Sequence, residues 1–189
     1  MNELKFNPAV TAIGRTKLSA PIAWLIGHHY LRSGQSKILD YGCGYGSDVR
    51  LLRDWNKGCP VIGYDKYHKD YNISLGFSCE GNFYFDVVLC TYVLNVVDEK
   101  EQLDIIHNMW QHTLADGHLY ISVRRDIADG TTIFKHSDGS FHLQRFVLLD
   151  EKYFRCINSN SKFAIYHASE NDVTKYLYEM GFFGTIKEG

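Results

Sequence analysis

The chain has 189 residues, of which 45% are hydrophobic and 22% charged, and its formal net charge is −2. This length and composition predict a single globular domain over residues 1–189 with a full hydrophobic core. The near-neutral charge excludes a chain-wide basic field for nucleic acid, but it does not exclude a local basic face.

Cysteine usage and hydropathy indicate the compartment. Five cysteines include no C-x-x-C pair, and no secretory signal opens the sequence, so we expect free thiols and a cytoplasmic protein. No apolar run approaches the length that crosses a membrane. The nine histidines lack metal-ligand spacing, so no metal site is expected, and the oligomeric state is left open.

The first 18 residues are polar and irregular, and they predict an N-terminal arm. Ser19 is a suitable N-cap and Pro21 falls in a first helical turn, so a helix should follow to about Leu31. A short apolar run over residues 37–40 then predicts the first strand.

The next segment is the most informative of the chain. The strand ends in Asp40, and glycines follow in G-x-G-x-G spacing from Gly42 to Gly46, which predicts a tight turn at a helix N-terminus. The dinucleotide fingerprint, G-x-G-x-x-G, would need a glycine where Ser47 stands. Asp40 would repel a pyrophosphate but suits a ligand with an ammonium and a sulfonium group. Asp65 ends the next apolar run about 20 residues later, where a carboxylate accepts ribose hydroxyls.

Two alternatives to a sulfonium nucleotide remain for this segment. The glycines could form a purely structural turn, with Asp65 a solvated loop acid. The turn could also belong to a nicotinamide- or flavin-binding variant. The glycines and the two acids together favour the sulfonium nucleotide.

At these residues the chain resembles class I S-adenosylmethionine-dependent methyltransferases, in segments 39–46, 63–65, 85–97 and 114–126. More narrowly, segments 11–21 and 93–96 are similar to phage and bacterial methyltransferases, including those associated with DNA phosphorothioation genes. The resemblance implies a Rossmann-like α/β sheet and S-adenosyl-L-methionine as cofactor. The implied cofactor-binding residues are Asp40, Tyr41, Gly42, Cys43, Gly44, Gly46, Asp48, Tyr64, Asp65, Cys90 and Thr91.

The sheet departs from that pattern after its second strand. A helix to about residue 57 and a strand over 61–64 are followed, after Asp65, by only about 20 residues before Asp86. A helix, a strand and a second helix do not fit there, so we expect the third strand to be missing. The usual adenine-binding acid then has no counterpart; Glu80 is a substitute candidate, and the rings of Tyr64 and Tyr67 could cover the adenine instead.

The later elements follow from apolar runs and turn signals. The predictions are strands over 85–90, 118–123, 162–167 and 182–186, helices over 99–113 and 170–180, and a hairpin of 131–136 with 141–149. Asp116 and Gly117 are expected to end the unit before the strand at 118. Residues 127–168 are predicted to form an inserted β element above the strand ends, as a lid or a substrate-binding element.

Candidate catalytic residues come after the strand predicted over 85–90, which corresponds to the fourth strand of the methyltransferase sheet. Enzymes that methylate exocyclic amines of DNA carry [DNS]-P-P-[YFW] there, whereas residues 90–93 read C-T-Y-V, which argues against standard N6-adenine or N4-cytosine methylation. Cys90 also lacks the preceding proline of C5-cytosine enzymes and is predicted to line the cofactor. Tyr92 and Asn95 are candidates for holding the substrate; alternatively, Asn95 caps or turns the chain.

Basic residues supply the other candidates. Arg124, Arg125 and Asp126 leave a strand end and could clamp a phosphate or carboxylate, or form a surface salt bridge. Arg15, Lys17 and Arg145 are predicted to bind substrate, and the first two could also fold over the cofactor.

The function expected from these residues is methyl transfer from S-adenosylmethionine to an unidentified acceptor. Nucleic acid is preferred, on the family resemblance and the local basic residues, over a small molecule. A catalytically silent cofactor-binding protein and a nucleotide-dependent oxidoreductase are the alternatives from other classes.

Overall fold

A computed structural model describes residues 6–72, 84–135 and 141–183. Its four helices are α1 (Ala20–Gly27), α2 (Ser47–Trp55), α3 (Glu99–Gln111) and α4 (Glu170–Glu179). Its eight strands are β1 (Ile38–Tyr41), β2 (Val61–Tyr64), β3 (Phe85–Thr91), β4 (Thr113–Arg124), β5 (Thr131–Lys135), β6 (Phe141–Arg145), β7 (Arg155–Ser159) and β8 (Phe163–Ser169).

Six strands form one sheet in the order β2-β1-β3-β4-β8-β7. The first four are parallel neighbours, while β8 pairs antiparallel with both β4 and β7. The predicted Rossmann-like α/β sheet is therefore confirmed. Within the described ranges β2 is the outermost strand on this side of the sheet. Much of the segment in which the third strand is expected to be missing lies outside the described residues, so that expectation stays a prediction.

The core lies on both faces of this sheet. One apolar cluster centres on β3, β4, β8, α3 and α4, and the other packs α1 and α2 against the opposite face. Helices α3 and α4 begin at side-chain caps: the Asp98 carboxylate accepts the Glu101 N–H, and Ser169 with Asp172 forms a complete capping box. Both faces of the central strands are covered, which explains their continuous apolar runs.

Helix α1 ends four residues before the predicted Leu31. His29 adopts a left-handed conformation (φ 62°), and the N–H groups of Tyr30 and Leu31 turn back to the Leu25 carbonyl. Leu31 is still buried, at 3% exposure, because this turn folds it under the helix. The apolar pattern therefore continued past the end of the helix.

Strand β4 begins at Thr113, so Asp116 and Gly117 lie within the strand and do not end the preceding unit. Phe85 pairs with Thr113, and the register shifts before Val87 pairs with His118. This irregularity accommodates Asp116 and Gly117, where the sequence predicts the end of a unit.

The range 127–168 is not one separate element. Strands β7 and β8 belong to the central sheet, and β7 was missed by the sequence prediction. Strands β5 and β6 form a separate two-stranded ladder, from the Thr131–Arg145 pair to the Lys135–Phe141 pair. The predicted turn 137–140, Glu80 and residues 184–186 of the predicted last strand lie outside the described residues, and Phe182 and Phe183 form a turn.

Candidate active site

A cleft of about 970 Å³, partly open to solvent, lies at the C-terminal ends of β1, β2 and β3. Ligands of open α/β sheets bind at this edge. The glycine turn, the segments after β2 and β3, the N-terminal arm, helix α3 and strand β6 all contribute to its wall. The predicted site residues that line it are Arg15, Tyr41, Gly42, Cys43, Gly44, Tyr64, Asp65, Thr91, Tyr92 and Arg124.

The turn after β1 needs its glycines. Gly42 and Gly44 have φ values of 76° and 56°. A Cβ on Gly42 would lie 2.4 Å from Val93 Cγ2, and one on Gly44 would lie 2.9 Å from Ala12 Cβ. The turn therefore packs directly against the segment after β3 and against the arm. Gly46 is the left-handed N-cap of α2 and does not line the cleft.

Asp65, at the end of β2, organises the turn. Its Oδ2 accepts the Gly44 N–H at 2.8 Å, and its Oδ1 accepts the N–H groups of Tyr67 at 2.8 Å and His68 at 3.2 Å. The side chain is buried, yet it faces the cleft. Three backbone bonds leave one of its roughly four acceptor positions for a ligand.

Two more carboxyl groups lie behind the turn rather than on the cleft wall. Asp40 is 3% exposed, and its burial raises its pKa to about 8, with a further increase from Asp48. Asp48 accepts the Ser19 N–H at 2.8 Å and lies 3.8 Å from Nη1 of Arg15. Arg15 opposes the increase at Asp40. Arg15 and Asp48 therefore form an ion pair beside Asp40, whose raised pKa keeps it protonated at neutral pH.

The thiols beside the cleft are held protonated. Burial raises the pKa of Cys90, and the nearby Asp40 raises it further. The same two causes raise the pKa of Cys43. Cys90 is fully buried and does not reach the cleft wall, whereas Cys43 does. Neither thiol is prepared for nucleophilic attack.

Tyr92 has an unusual backbone conformation at the end of β3. Its φ is 65°, in the left-handed region that bulky residues rarely adopt, and its N–H donates to the Ser122 carbonyl at 2.8 Å. Burial raises its pKa to about 12, against the opposing charges of Arg15 and Arg124. Its hydroxyl is therefore a neutral hydrogen-bond donor near two guanidinium groups. Strain of this kind is concentrated at functional sites.

Asn95 is fully buried and does not line the cleft. Its Nδ2 donates to the Arg145 carbonyl at 2.8 Å, and its Oδ1 accepts the Arg124 N–H at 2.8 Å. The predicted role in holding substrate does not match this position. Asn95 instead joins β6 to the end of β4 and so fixes the backbone of Arg124.

The guanidinium of Arg124 is the centre of a polar network on the cleft wall. Its Nε and Nη2 each lie 2.8 Å from an oxygen of Asp126, and Nη1 donates to Gln144 Oε1 at 3.0 Å. This pairing lowers the pKa of Asp126. Nε2 of Gln144 lies 2.7 Å from Nε2 of His142. Arg124 and Asp126 therefore form the salt bridge that was one interpretation of the sequence. The Arg124 side of this salt bridge lines the cleft.

The other predicted basic residues lie away from the cleft. The Arg125 guanidinium donates to the Val147 carbonyl and the Tyr166 hydroxyl and stacks on Phe146 at 4.7 Å. The Arg145 side chain pairs with Glu99, and Lys17 is exposed outside the cleft. These three residues are not brought together with the others.

Several residues of the cleft wall were missed by the sequence reasoning, among them Glu101 in the first turn of α3 and Gln144 in β6. Of these two, Glu101 carried a sequence signal, as an acid three residues after an N-cap, but that pattern normally indicates capping.

Comparisons with known proteins agree with this geometry. A family model described as a methyltransferase domain matches residues 16–168. No curated protein matches the chain. Among solved structures, a Burkholderia thailandensis 1,6-didemethyltoxoflavin-N1-methyltransferase with bound S-adenosylhomocysteine is 15% identical, with 79% of this chain and 76% of that chain covered and a TM-score of 0.54.

Two further structures are similar. The glycopeptide N-methyltransferase MtfA, complexed with S-adenosylmethionine, is 11% identical, with 85% of this chain and 97% of that chain covered and a TM-score of 0.54. The PH0226 protein from Pyrococcus horikoshii is 14% identical, with coverages of 78% and 86% and a TM-score of 0.53. At these identities the likeness shows a shared fold. None of the helices in ranges 6–72, 84–135 and 141–183 is long and apolar enough to span a membrane.

Proposed function

Because the chain belongs to the methyltransferase-domain family and is an S-adenosylmethionine-dependent methyltransferase, we propose that it methylates a small-molecule acceptor in the cleft beside Tyr92. The observation that carries this proposal is the glycine turn fastened to Asp65 in the wall of a cleft at the strand ends. The narrower likeness to phage and phosphorothioation-associated enzymes stays a prediction.

The residues of the cleft suit the cofactor. A glycine turn and a strand-end carboxylate match a ribose and a sulfonium chain, and Val93, Val97 and Ile105 provide an apolar wall for a base. Arg15 lines the cleft and is placed to bind a carboxylate, while the carboxylate of Asp48, 3.8 Å from Arg15, favours a nearby ammonium group. A zwitterionic amino-acid tail has both groups, which a pyrophosphate lacks.

A small acceptor is favoured over nucleic acid for two reasons. The cleft is partly open to solvent, but it is bounded by the arm at Ala12 and Ile13 on one side and by Gln144 of β6 on another, which confines the space for an acceptor. The guanidinium groups of Arg125 and Arg145 are engaged in internal contacts, so they do not form a basic surface. A nucleic acid acceptor, preferred on the sequence, would rely on just such a surface.

When bound, the cofactor supplies an already activated methyl group, so the protein mainly positions the acceptor and excludes water. We assign that positioning to the Tyr92 hydroxyl and to the Arg124 network with Gln144. The neutral tyrosine donates a hydrogen bond to the acceptor and keeps its own proton. Asn95 fixes the backbone of Arg124 and acts through it.

The test combines binding and transfer. S-adenosylhomocysteine, but not NAD, should raise the melting temperature of the protein, since a ligand that binds only the folded state stabilises it. Tritium from labelled S-adenosylmethionine should then appear in a small-molecule cell extract and not in DNA or RNA. Label in nucleic acid would contradict the proposed acceptor class. Binding without transfer to any of the three pools would instead identify a silent binding protein.

A further inference from the structure

The two ends of the cleft differ in charge. The end near Tyr92 is positively charged: the guanidinium groups of Arg15 and Arg124 oppose the increase in the pKa of Tyr92. At the other end, the wall is formed by Glu101 and Ile105 of α3 and continues into a second cavity. Among the described residues that line the cleft, Asp65 and Glu101 are the two that carry a carboxyl group.

Glu101 is held close to the loop that follows Asp65. The Tyr67 hydroxyl donates to its Oε1 at 3.1 Å, and Nζ of Lys66 lies 3.4 Å from the same oxygen. These two residues immediately follow Asp65, whose Oδ1 accepts the Tyr67 N–H. The carboxyl group of Glu101 is therefore linked through Tyr67 to Asp65, the carboxylate that we assign to the ribose.

The second carboxylate oxygen of Glu101 gives this end of the cleft a hydrogen-bond acceptor. The exocyclic amine of an adenine is a hydrogen-bond donor, and it needs such an acceptor when its base leaves water. The neighbouring surface is apolar and aromatic, with Val97, Ile105 and the rings of Tyr41 and Tyr64, whose centroids are 4.9 Å apart. A flat base can contact these groups while its amine faces the carboxylate.

We infer that Glu101, on helix α3, binds the exocyclic amine of the cofactor's adenine, a role for which the sequence predicts no acid at the usual place after β2. This inference rests on the proposed use of S-adenosylmethionine in the cleft. It makes Glu101 a specificity residue that distinguishes adenine from hypoxanthine. In hypoxanthine the amine is replaced by a carbonyl oxygen, which a carboxylate repels.

The experiment measures the dissociation constants of S-adenosylhomocysteine and of its deaminated analogue, S-inosylhomocysteine, by calorimetry. The wild-type protein should bind the adenosyl compound more tightly by about ten- to a hundredfold, the range of one hydrogen bond to a charged group. In Glu101→Gln the amide can donate to the carbonyl of the analogue, so the ratio should fall to within about threefold of unity. Equal weakening of both ligands would show that Glu101 only ties the loop to the helix, and it would overturn the inference.

Three matched variants make the comparison specific. Asp104→Asn removes a carboxylate from the same helix that lines the second cavity but not the cleft, and it should leave the ratio unchanged. Tyr67→Phe removes the hydroxyl that contacts Glu101 and should also preserve the ratio. A changed ratio in Glu80→Gln, with none in Glu101→Gln, would assign the role to Glu80 and refute the inference. A wild-type protein that binds neither compound would instead refute the proposed function.

Discussion

The carboxylate of Asp65 accepts a hydrogen bond from the Gly44 N–H at 2.8 Å, so the end of β2 is fastened to the turn that follows β1. The bond joins two segments that are 21 residues apart, and both of them line the cleft. Ligand binding and local stability are therefore coupled through one side chain.

Asp65→Asn should lower both quantities. The amide would place N–H groups against a backbone N–H donor, and a buried donor left unpaired costs about 1–3 kcal/mol. We expect the free energy of unfolding in urea to fall by that amount and the affinity for S-adenosylhomocysteine to fall at least about tenfold. Asp54→Asn, at an exposed position of α2, is the control. A variant that unfolds like the wild type would show that the bond contributes nothing.

Gly44→Ala tests how closely the arm packs on the turn. The added Cβ would lie 2.9 Å from Ala12 Cβ, and the φ of 56° is unfavourable for alanine by about 1–2 kcal/mol. The single variant should lose stability and ligand affinity. Adding Ala12→Gly should restore part of both, since it removes the contact but not the backbone strain. If the second substitution has no effect on either measurement, the arm does not occupy this position.

Asp40 should impose a pH dependence on stability. Burial raises its pKa from 3.8 to about 8, so between these values the folded chain keeps a proton that the unfolded chain has released. Its contribution to the free energy of unfolding therefore decreases as pH rises through this window and is constant above it. Asp40→Asn should remove that slope, so the variant gains stability relative to the wild type from pH 5 to pH 8 in urea titrations. A pH-independent difference would contradict the burial argument.

Much of this fold follows from the sequence because strands buried on both faces must be apolar. Strand β2 and the start of α3 were predicted to the residue, since Pro60 and Asp98 mark these boundaries. Strand β7 was missed because Arg155 and Asn158 make it read as a polar loop, although it pairs with β8 at the edge of the sheet.

The structure brings the predicted site residues together where backbone geometry determines their position, and it separates some of them where side-chain contacts determine it. The glycine turn and Asp65 are fixed by positive φ values and by the end of a strand. The directions taken by the Arg124 and Arg125 side chains depend on Asp126 and Tyr166, which meet them only through tertiary packing. Glu101 was missed for the same reason, because its contact with Tyr67 spans 34 residues.

Arg124 and Arg125 should respond in opposite ways to substitution. Arg124→Gln removes a guanidinium from the cleft wall and should raise the KM for the acceptor about tenfold, with little loss of stability because its partner Asp126 is largely exposed. Arg125→Ala should leave KM unchanged but lower the free energy of unfolding by about 1–3 kcal/mol, since it removes the hydrogen bonds to the Val147 carbonyl and the Tyr166 hydroxyl. If Arg125→Ala raised KM while Arg124→Gln lowered the free energy of unfolding, the roles assigned to the two arginines would have to be exchanged.

Tyr92→Phe isolates the hydroxyl while keeping the ring. We expect kcat to fall about tenfold or more with the affinity for S-adenosylhomocysteine unchanged, because the lost bond is to the acceptor. Burial raises the pKa of Tyr92 to about 12, so its ionisation should not appear in the wild-type rate profile below about pH 11. Unchanged kcat would place the acceptor elsewhere in the cleft.

Strand β2 is the outermost strand of the sheet within the described residues. Of the three strands whose ends form the cleft, β1 and β3 are paired on both sides, whereas β2 is paired in the described ranges through β1. Fraying of the sheet from this border would therefore disturb Asp65, at the end of β2, before it reached Tyr92 at the end of β3. Local opening should thus weaken retention of the cofactor before it slows the transfer step.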